Sequence, residues 1–180
     1  MRCFVACWPD DATRGRLDRV AREALARYPR ARRVPAENLH LTLAFIGELA
    51  QPRAHEVASA LPAVAGDAFE WCIDRIGRFG RARVLWAGGA AEPRLLQLAE
   101  RVRGELQALH IPFDTKPFVA HVTLLRDLPA SRPPELIGPE EAIAPMGWPI
   151  RDARVMVSER DPQGFPRYRP LDPLQRAQNP

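Results

Sequence analysis

The sequence has few of the features that membrane or disulfide-linked proteins need. No stretch of its 180 residues approaches the length of about 20 apolar residues that a membrane helix requires. The apolar run at residues 3–8 is too short for the core of a signal peptide. The three cysteines are odd in number and include no C-x-x-C pair, which predicts reduced thiols. We therefore expect a cytoplasmic protein that does not enter a membrane.

The sequence is also poor in metal-ligand patterns and in lysine. It contains four histidines but no H-x-H, H-x-x-x-H or H-E-x-x-H spacing. We therefore expect no metal and no cofactor. Lys116 is the only lysine, so the net charge of +4 comes from arginine. Arginine suits bidentate phosphate contacts, and this charge is compatible with RNA. Because the arginines are scattered and do not form one run, we favour genome composition as the reason for their number.

One short pattern occurs twice in the chain. His40 is followed two places later by Thr42, and His121 by Thr123, although the chain has only four histidines and four threonines. Chance would give roughly 0.1 such pairs, so two indicate a shared role.

The two patterns lie in a longer repeat. The two motifs are 81 residues apart. When the sequence is aligned with itself at this offset, residues 2–6 align with residues 83–87, and Leu17 and Leu25 of the first predicted helix align with Leu98 and Leu106 of the third. Each half is predicted to be a strand, an amphipathic helix and a strand that carries the motif. We expect an α+β fold and a single bilobal domain over residues 1–180, with an internal pseudo-twofold repeat. Antiparallel sheets would line a central cleft, with the helices outside.

Periodicity and turn residues predict the remaining elements. Helices are expected over residues 12–28, 53–64 and 93–109. Strands are expected over residues 2–8, 39–46, 69–76, 83–87, 118–125, 154–158 and 164–169, with a hairpin turn at 77–81. The proline-rich residues 129–149 are expected to form an irregular connection, and residues 170–180 a loose tail.

The paired motifs indicate acid–base chemistry on a phosphate. Side chains two apart on a strand share a face, so His40 and Thr42 point the same way, as do His121 and Thr123. If the halves pack about a twofold axis, two imidazoles face one small ligand. One would take a proton from water and the other would give a proton to a leaving oxygen. The threonines would bind nonbridging phosphate oxygens. The repeat leaves open which histidine has which role.

A lone histidine on a strand is more often structural, but a pair in equivalent positions favours catalysis. His55 and His110 lack the pattern, and we leave them out of the site.

The chain resembles the two-histidine phosphoesterase superfamily, and within it the 2′-5′ RNA ligase or RNA 2′,3′-cyclic phosphodiesterase family. The resemblance rests on both motifs and on the phrases around them, residues 2–6, 35–47, 79–86 and 116–126. It implies hydrolysis of RNA 2′,3′-cyclic phosphate ends to 2′-phosphate ends, with reverse 2′-5′ ligation as a second reaction. It implies that His40 is the proton donor and His121 the acceptor.

The resemblance also implies a phosphate contact for Arg126. Position 126 has the opposite strand parity to 121 and 123, so its side chain reaches the cleft only if the strand ends or bulges there.

Two other functions remain open from the sequence. One is a phosphodiesterase for a small cyclic phosphate such as ADP-ribose cyclic phosphate. The other is a non-catalytic protein that binds RNA ends. In each case we expect a monomer.

Overall fold

The computed structural model describes residues 1–61, 67–130 and 140–172. The helices within these ranges are α1 (Asp11–Arg27), α2 (Gln51–Ala60) and α3 (Pro93–Ala108), with a short 3₁₀ turn at Ala36–Asn38. The strands are β1 (Arg2–Cys7), β2 (Arg32–Arg33), β3 (Leu41–Glu48), β4 (Phe69–Phe79), β5 (Val84–Gly88), β6 (His121–Arg126), β7 (Glu141–Ile150), β8 (Arg154–Arg160) and β9 (Pro166–Pro170).

The nine strands form one antiparallel sheet. Its order is β7-β4-β5-β6-β3-β1-β8-β9, and the short β2 pairs with β6. β6 and β3 are the innermost strands, and they are joined by one residue pair, Leu41 with Val122. The sheet thus consists of two four-stranded halves that meet where the two motifs lie. The expected α+β fold with antiparallel strands is confirmed, although the strands form a continuous sheet.

The helices tie the two halves of the sheet together. α1 follows β1, which belongs to one half, but it packs against β6 and β7 of the other half. α3 follows β5 and packs against β3 in the opposite half. The buried faces of these helices, including Leu17, Leu95 and Leu98, belong to one core with residues of both halves. Because this core is shared, the relative position of the two motifs is fixed by burial of apolar surface.

The helix starts follow from local hydrogen bonding. The Asp10 carboxylate accepts a hydrogen bond from the backbone amide of Thr13 at 2.7 Å and caps α1. Glu92 caps α3 by accepting from the amide of Leu95 at 2.9 Å, and Pro93 occupies the first turn. Pro29 follows the end of α1, as the sequence predicts.

Most predicted elements are present, but one expectation is wrong. Residues 141–149, which were predicted to be irregular, lie in the strand β7 (Glu141–Ile150). Among the described strands, β7 pairs only with β4 and lies at the sheet edge, and the pairing shifts register beside Pro145. An edge strand with a bulge tolerates proline because the missing amide is not needed for a second neighbour. Residues 131–139 of the predicted connection lie outside the described residues.

Several chain segments were predicted with different bounds. β4 continues to Phe79, so the predicted turn at 77–81 begins too early, and the motif strands begin at Leu41 and His121 instead of at residues 39 and 118. α2 starts at Gln51, before the expected residue 53, and residues 62–64 of that prediction lie outside the described residues. In the predicted tail, Leu171 is buried and its amide donates to the carbonyl of Val155 at 2.8 Å. Residues 173–180 lie outside the described residues. The strand β2 and the 3₁₀ turn were not predicted.

Among the described helices, none is both long and apolar enough to cross a membrane.

Candidate active site

A cleft of about 850 Å³ opens on the face of the sheet where its two halves meet. All five residues singled out from the sequence line this cleft: His40, Thr42, His121, Thr123 and Arg126. His55 and His110, which were left out of the predicted site, do not line it. Their rings contact carbonyl oxygens of Asp172 and Ala108, respectively.

The register of β3 against β6 sets the arrangement of the two motifs. Leu41 pairs with Val122, so the same register places His40 beside Thr123 and Thr42 beside His121. On the cleft face the two histidines are therefore diagonal neighbours, with Cα atoms roughly 8 Å apart from strand spacing and rise. Each imidazole has the hydroxyl of the other motif as its cross-strand neighbour. The arrangement leaves room for one small anion between the two rings.

Backbone contacts fix the tautomer of both histidines. Nδ1 of His40 lies 2.7 Å from the carbonyl oxygen of Asn38, and Nδ1 of His121 lies 2.8 Å from that of Val119. A carbonyl oxygen only accepts, so in each ring Nδ1 carries the proton and donates it. In the neutral ring, Nε2 is then left with its lone pair. Both rings consequently offer Nε2 for proton transfer, and they do so through equivalent contacts to the residue two places earlier.

His40 sits in an aromatic surround. The Trp8 ring stacks on it at 4.9 Å with an interplanar angle of 8°. Phe4 and Tyr168 contact the same ring with centroid distances of 5.0 and 5.2 Å. Burial among these rings lowers the pKa of His40 to about 4, with smaller contributions from the charges of Arg126 and His121. The contact with the Asn38 carbonyl opposes this shift.

His121 has fewer aromatic neighbours than His40 among the described residues. Phe79 meets its ring edge-on at 4.9 Å. Burial lowers the pKa of His121, the Val119 carbonyl opposes the shift, and Arg126 lowers the pKa further. The two histidines thus share backbone geometry but differ in their surroundings.

A β-bulge explains how Arg126 reaches the cleft. In the pairing of β5 with β6 the register skips Leu124, so Leu124 and Leu125 are both buried and alternation restarts one residue later. Arg126 therefore lines the same cleft as Thr123. The pairing of β1 with β3 skips Leu43 in the same way, and there the residue brought into the cleft is Phe45.

Arg126 differs from the other charged residues near it. Arg32 is paired with Asp127 at 3.1 Å, and Asp114 with Lys116 at 2.8 Å. For Arg126 the described part of the chain supplies no carboxylate partner within ion-pair distance, and the residue is half-buried. An uncompensated guanidinium beside two neutral imidazoles favours binding of an anion.

The aromatic residues around the histidines were missed by sequence reasoning. Phe4 and Phe79 lie in the phrases that carry the family resemblance, so that resemblance was a usable signal for them. Trp8 and Tyr168 are separated from His40 along the chain and gave no signal. Trp8 directly follows β1 and Tyr168 lies in β9, in the same half of the sheet as His40. Only the folded sheet brings them to the ring.

Within residues 1–61, 67–130 and 140–172, no group of three or more His, Cys, Asp or Glu side chains is placed to hold a metal ion.

Comparison with known proteins identifies the family. The model of LigT-like phosphoesterases matches residues 8–86 and again residues 89–166. The chain belongs to this family of phosphoesterases, and the resemblance seen in the sequence is confirmed. The two successive matches are consistent with duplicated halves.

Several relatives are enzymes. An RNA 2′,3′-cyclic phosphodiesterase of Thermus thermophilus is 34% identical over 152 residues, which cover 77% of this chain and 72% of the relative. The Archaeoglobus fulgidus enzyme of the same name is 34% identical over 129 residues, 70% of this chain and 72% of the relative. The Escherichia coli enzyme is 37% identical over 97 residues, which span 55% of its length. The prediction that this chain is an enzyme is confirmed.

Solved structures agree with the fold over nearly the whole chain. Apo E. coli LigT has a TM-score of 0.76 and 28% identity, covering 95% of this chain and 94% of LigT. E. coli LigT complexed with 3′-AMP has a TM-score of 0.73 and covers 95% of each chain at 28% identity.

Proposed function

We propose that the protein hydrolyses 2′,3′-cyclic phosphate ends of RNA to 2′-phosphate ends, without a metal ion or a cofactor. The observation that carries the proposal is the pair of imidazoles on one cleft, each with Nδ1 anchored to a carbonyl and Nε2 free. The names of the relatives, RNA 2′,3′-cyclic phosphodiesterase, support the substrate.

In the proposed reaction, water attacks the phosphorus opposite the 3′ oxygen. His121 Nε2 takes a proton from the water as the new P–O bond forms. The P–O3′ bond breaks, and His40 Nε2–H gives its proton to the 3′ oxygen. The 2′ ester bond stays intact, so the product carries a 2′-phosphate and a free 3′-hydroxyl. If a 5′-hydroxyl of a second RNA takes the place of water, the same two transfers join the ends through a 2′-5′ bond.

The remaining three residues of the site bind the phosphate. The hydroxyls of Thr42 and Thr123 donate to its nonbridging oxygens, and each lies beside the histidine of the other motif. Arg126 stabilises the negative charge that grows on these oxygens in the transition state. Its position on the cleft depends on the bulge at Leu124.

The low pKa of His40 bears on its role as donor. An imidazolium with a low pKa is a strong acid, so its proton is readily given to the leaving oxygen. The cost is that His40 is mostly neutral in the free protein near neutral pH. The phosphate anion of the substrate favours the charged ring. We therefore propose that His40 acquires its proton as the substrate binds.

Analysis of products on a cyclic-ended oligonucleotide tests the function. We expect a 2′-phosphate end, formed at an unchanged rate in the presence of EDTA. A 3′-phosphate product, or loss of activity on chelation, would contradict the proposal. Turnover of ADP-ribose cyclic phosphate in preference to the RNA end would favour the small-molecule alternative.

A substrate with sulfur in place of the leaving 3′ oxygen tests whether His40 is the proton donor and His121 the proton acceptor. Because a thiolate leaves without a proton, this substrate should restore much of the activity of His40→Ala. It should not restore His121→Ala, which still lacks a base for the water. Equal rescue of both variants, or of His121→Ala alone, would refute the assignment.

A further inference from the structure

The cleft extends beyond the histidines to a second group of cations. Arg2 on β1 and Arg160 on β8 line the same cleft, together with Ser158. The side chains of Arg2 and Arg160 are both exposed to solvent. None of these three residues has a part in the proposed proton transfers or in binding the reacting phosphate.

The sheet register fixes where these residues lie relative to the histidines. On β1, Arg2 lies two residues before Phe4, and the centroid of the Phe4 ring lies 5.0 Å from that of the His40 ring. Residues two apart share a face and are about 6.7 Å apart along the strand. Arg2 pairs with Ser158, and Arg160 lies two residues further along β8. Arg160 is therefore a diagonal neighbour of Arg2 on the cleft face, one further step from the reacting centre.

The positive charge at this end is not cancelled. No carboxylate of the described chain forms an ion pair with Arg2, and Arg160 donates to a neutral carbonyl, that of Gly164, at 2.8 Å. The acidic cleft residue at this end, Glu48, pairs with Arg2 in the sheet, but its side chain is 78% exposed and lies 3.4 Å from the Met1 amino group. Of the two carboxylates next to Arg160 in the chain, Glu159 is paired with Arg169, and Asp161 accepts from the amides of Gln163 and Phe165. The surroundings therefore suit a second anion in the same cleft as the first.

We propose that Arg2 and Arg160 bind the phosphate that links the terminal nucleotide of the substrate to the preceding one. The inference rests on the proposed function and makes it more specific. It predicts that the preferred substrate is an oligonucleotide with a cyclic phosphate end. A cyclic mononucleotide fills only the half of the cleft that holds the histidines and Arg126.

The test compares three substrates that share the same reacting end. They are uridine 2′,3′-cyclic phosphate, the dinucleotide UpU with a 2′,3′-cyclic phosphate end, and the same dinucleotide with an uncharged methylphosphonate linkage. We expect kcat/KM for the charged dinucleotide to exceed that for the other two about tenfold, since a hydrogen-bonded contact between charged groups supplies this much.

Variants then assign the effect to the two arginines. Arg2→Gln and Arg160→Gln should each reduce the preference for the charged dinucleotide severalfold and leave kcat/KM for the mononucleotide unchanged. The matched control is Arg19→Gln, which removes one exposed arginine from α1, away from the cleft. It should retain the full preference. A preference for the charged dinucleotide that persists in both cleft variants would overturn the inference, as would an equal loss on all three substrates.

A binding measurement separates this inference from the proposed activity. Calorimetry gives the affinity of the wild-type protein for UpU bearing a 2′-phosphate, with a charged or a methylphosphonate linkage. Tighter binding of the charged form, lost in Arg2→Gln, supports the second site even if the protein opened no cyclic phosphate. Equal affinities would overturn the second site even if hydrolysis proceeds as proposed.

Discussion

Replacing Arg126 with glutamine should weaken catalysis and shift its pH dependence at the same time. The guanidinium is half-buried, lines the cleft with both histidines and has no carboxylate partner in the described chain. A hydrogen bond between charged groups contributes about 1.5–3 kcal/mol. We take about 2 kcal/mol because the site is open on one side, which corresponds to a loss of roughly thirtyfold in kcat/KM.

The same substitution should raise the pKa of both histidines. The charge of Arg126 lowers the pKa of His40 and of His121, so its removal makes each imidazolium easier to form. The maximum of kcat/KM should therefore move to higher pH. NMR titration of the two rings measures the shift without any turnover, so the electrostatic effect is separable from the loss of the phosphate contact.

Arg32→Gln is the matched control for this prediction. Arg32 also lines the cleft, but its charge is compensated by Asp127 at 3.1 Å. Its loss should change kcat/KM much less and leave the pH maximum close to that of the wild type. The reasoning is refuted if Arg126→Gln leaves both ring pKa values in place or lowers them. It is refuted equally if the two variants behave alike.

The remaining predictions concern the histidines. His40→Ala and His121→Ala should each lower kcat by at least about 10²-fold while the thermal unfolding profile stays cooperative; turnover that persists in one variant removes that residue from the mechanism. The wild-type profile of kcat/KM against pH should be bell-shaped, with its maximum below pH 6.5 because the pKa of each ring is lowered; a flat profile from pH 5 to 9 would contradict paired acid–base catalysis. The free energy of unfolding should fall as the pH falls from about 6.5 to about 4, by about 3 kcal/mol at most from His40. Over this range the unfolded ring binds a proton that the folded ring, with its pKa of about 4, does not. Denaturant titrations of wild type and His40→Gln measure this, and an identical pH dependence in the two proteins would disprove the assignment to His40.

Local sequence patterns were sufficient to predict most of the fold. The buried stripe of α1 and its stop before Pro29 depend on neighbours within a few residues, which the sequence displays directly. β7 could not be predicted in this way. Its proline content is permissible only because the strand lies at the sheet edge, and the position of a strand within a sheet is a property of the whole chain.

For the candidate site too, local patterns predicted the residues but not how they are arranged across strands. His40 and His121 stand out because of their repeated context, and the rule that alternate residues share a face places the threonines on the same cleft. The cross-strand pairing of each histidine with the other motif's threonine depends on the register of β3 against β6, which no local pattern contains. The stacking of Trp8 on His40 likewise joins segments that are distant in the chain.

The two bulges show how a repeated backbone can form a site that binds its substrate in one orientation. Each motif strand carries a skipped leucine after its threonine, Leu43 in β3 and Leu124 in β6. The backbone therefore turns the same position of each half into the cleft, and in one half that position is Phe45 and in the other Arg126. A reaction that breaks one of two neighbouring P–O bonds needs unlike surroundings on its two sides, since identical halves would bind the phosphate equally well in two orientations. The repeat supplies the paired imidazoles, and the differences at this position and around His40 supply the orientation.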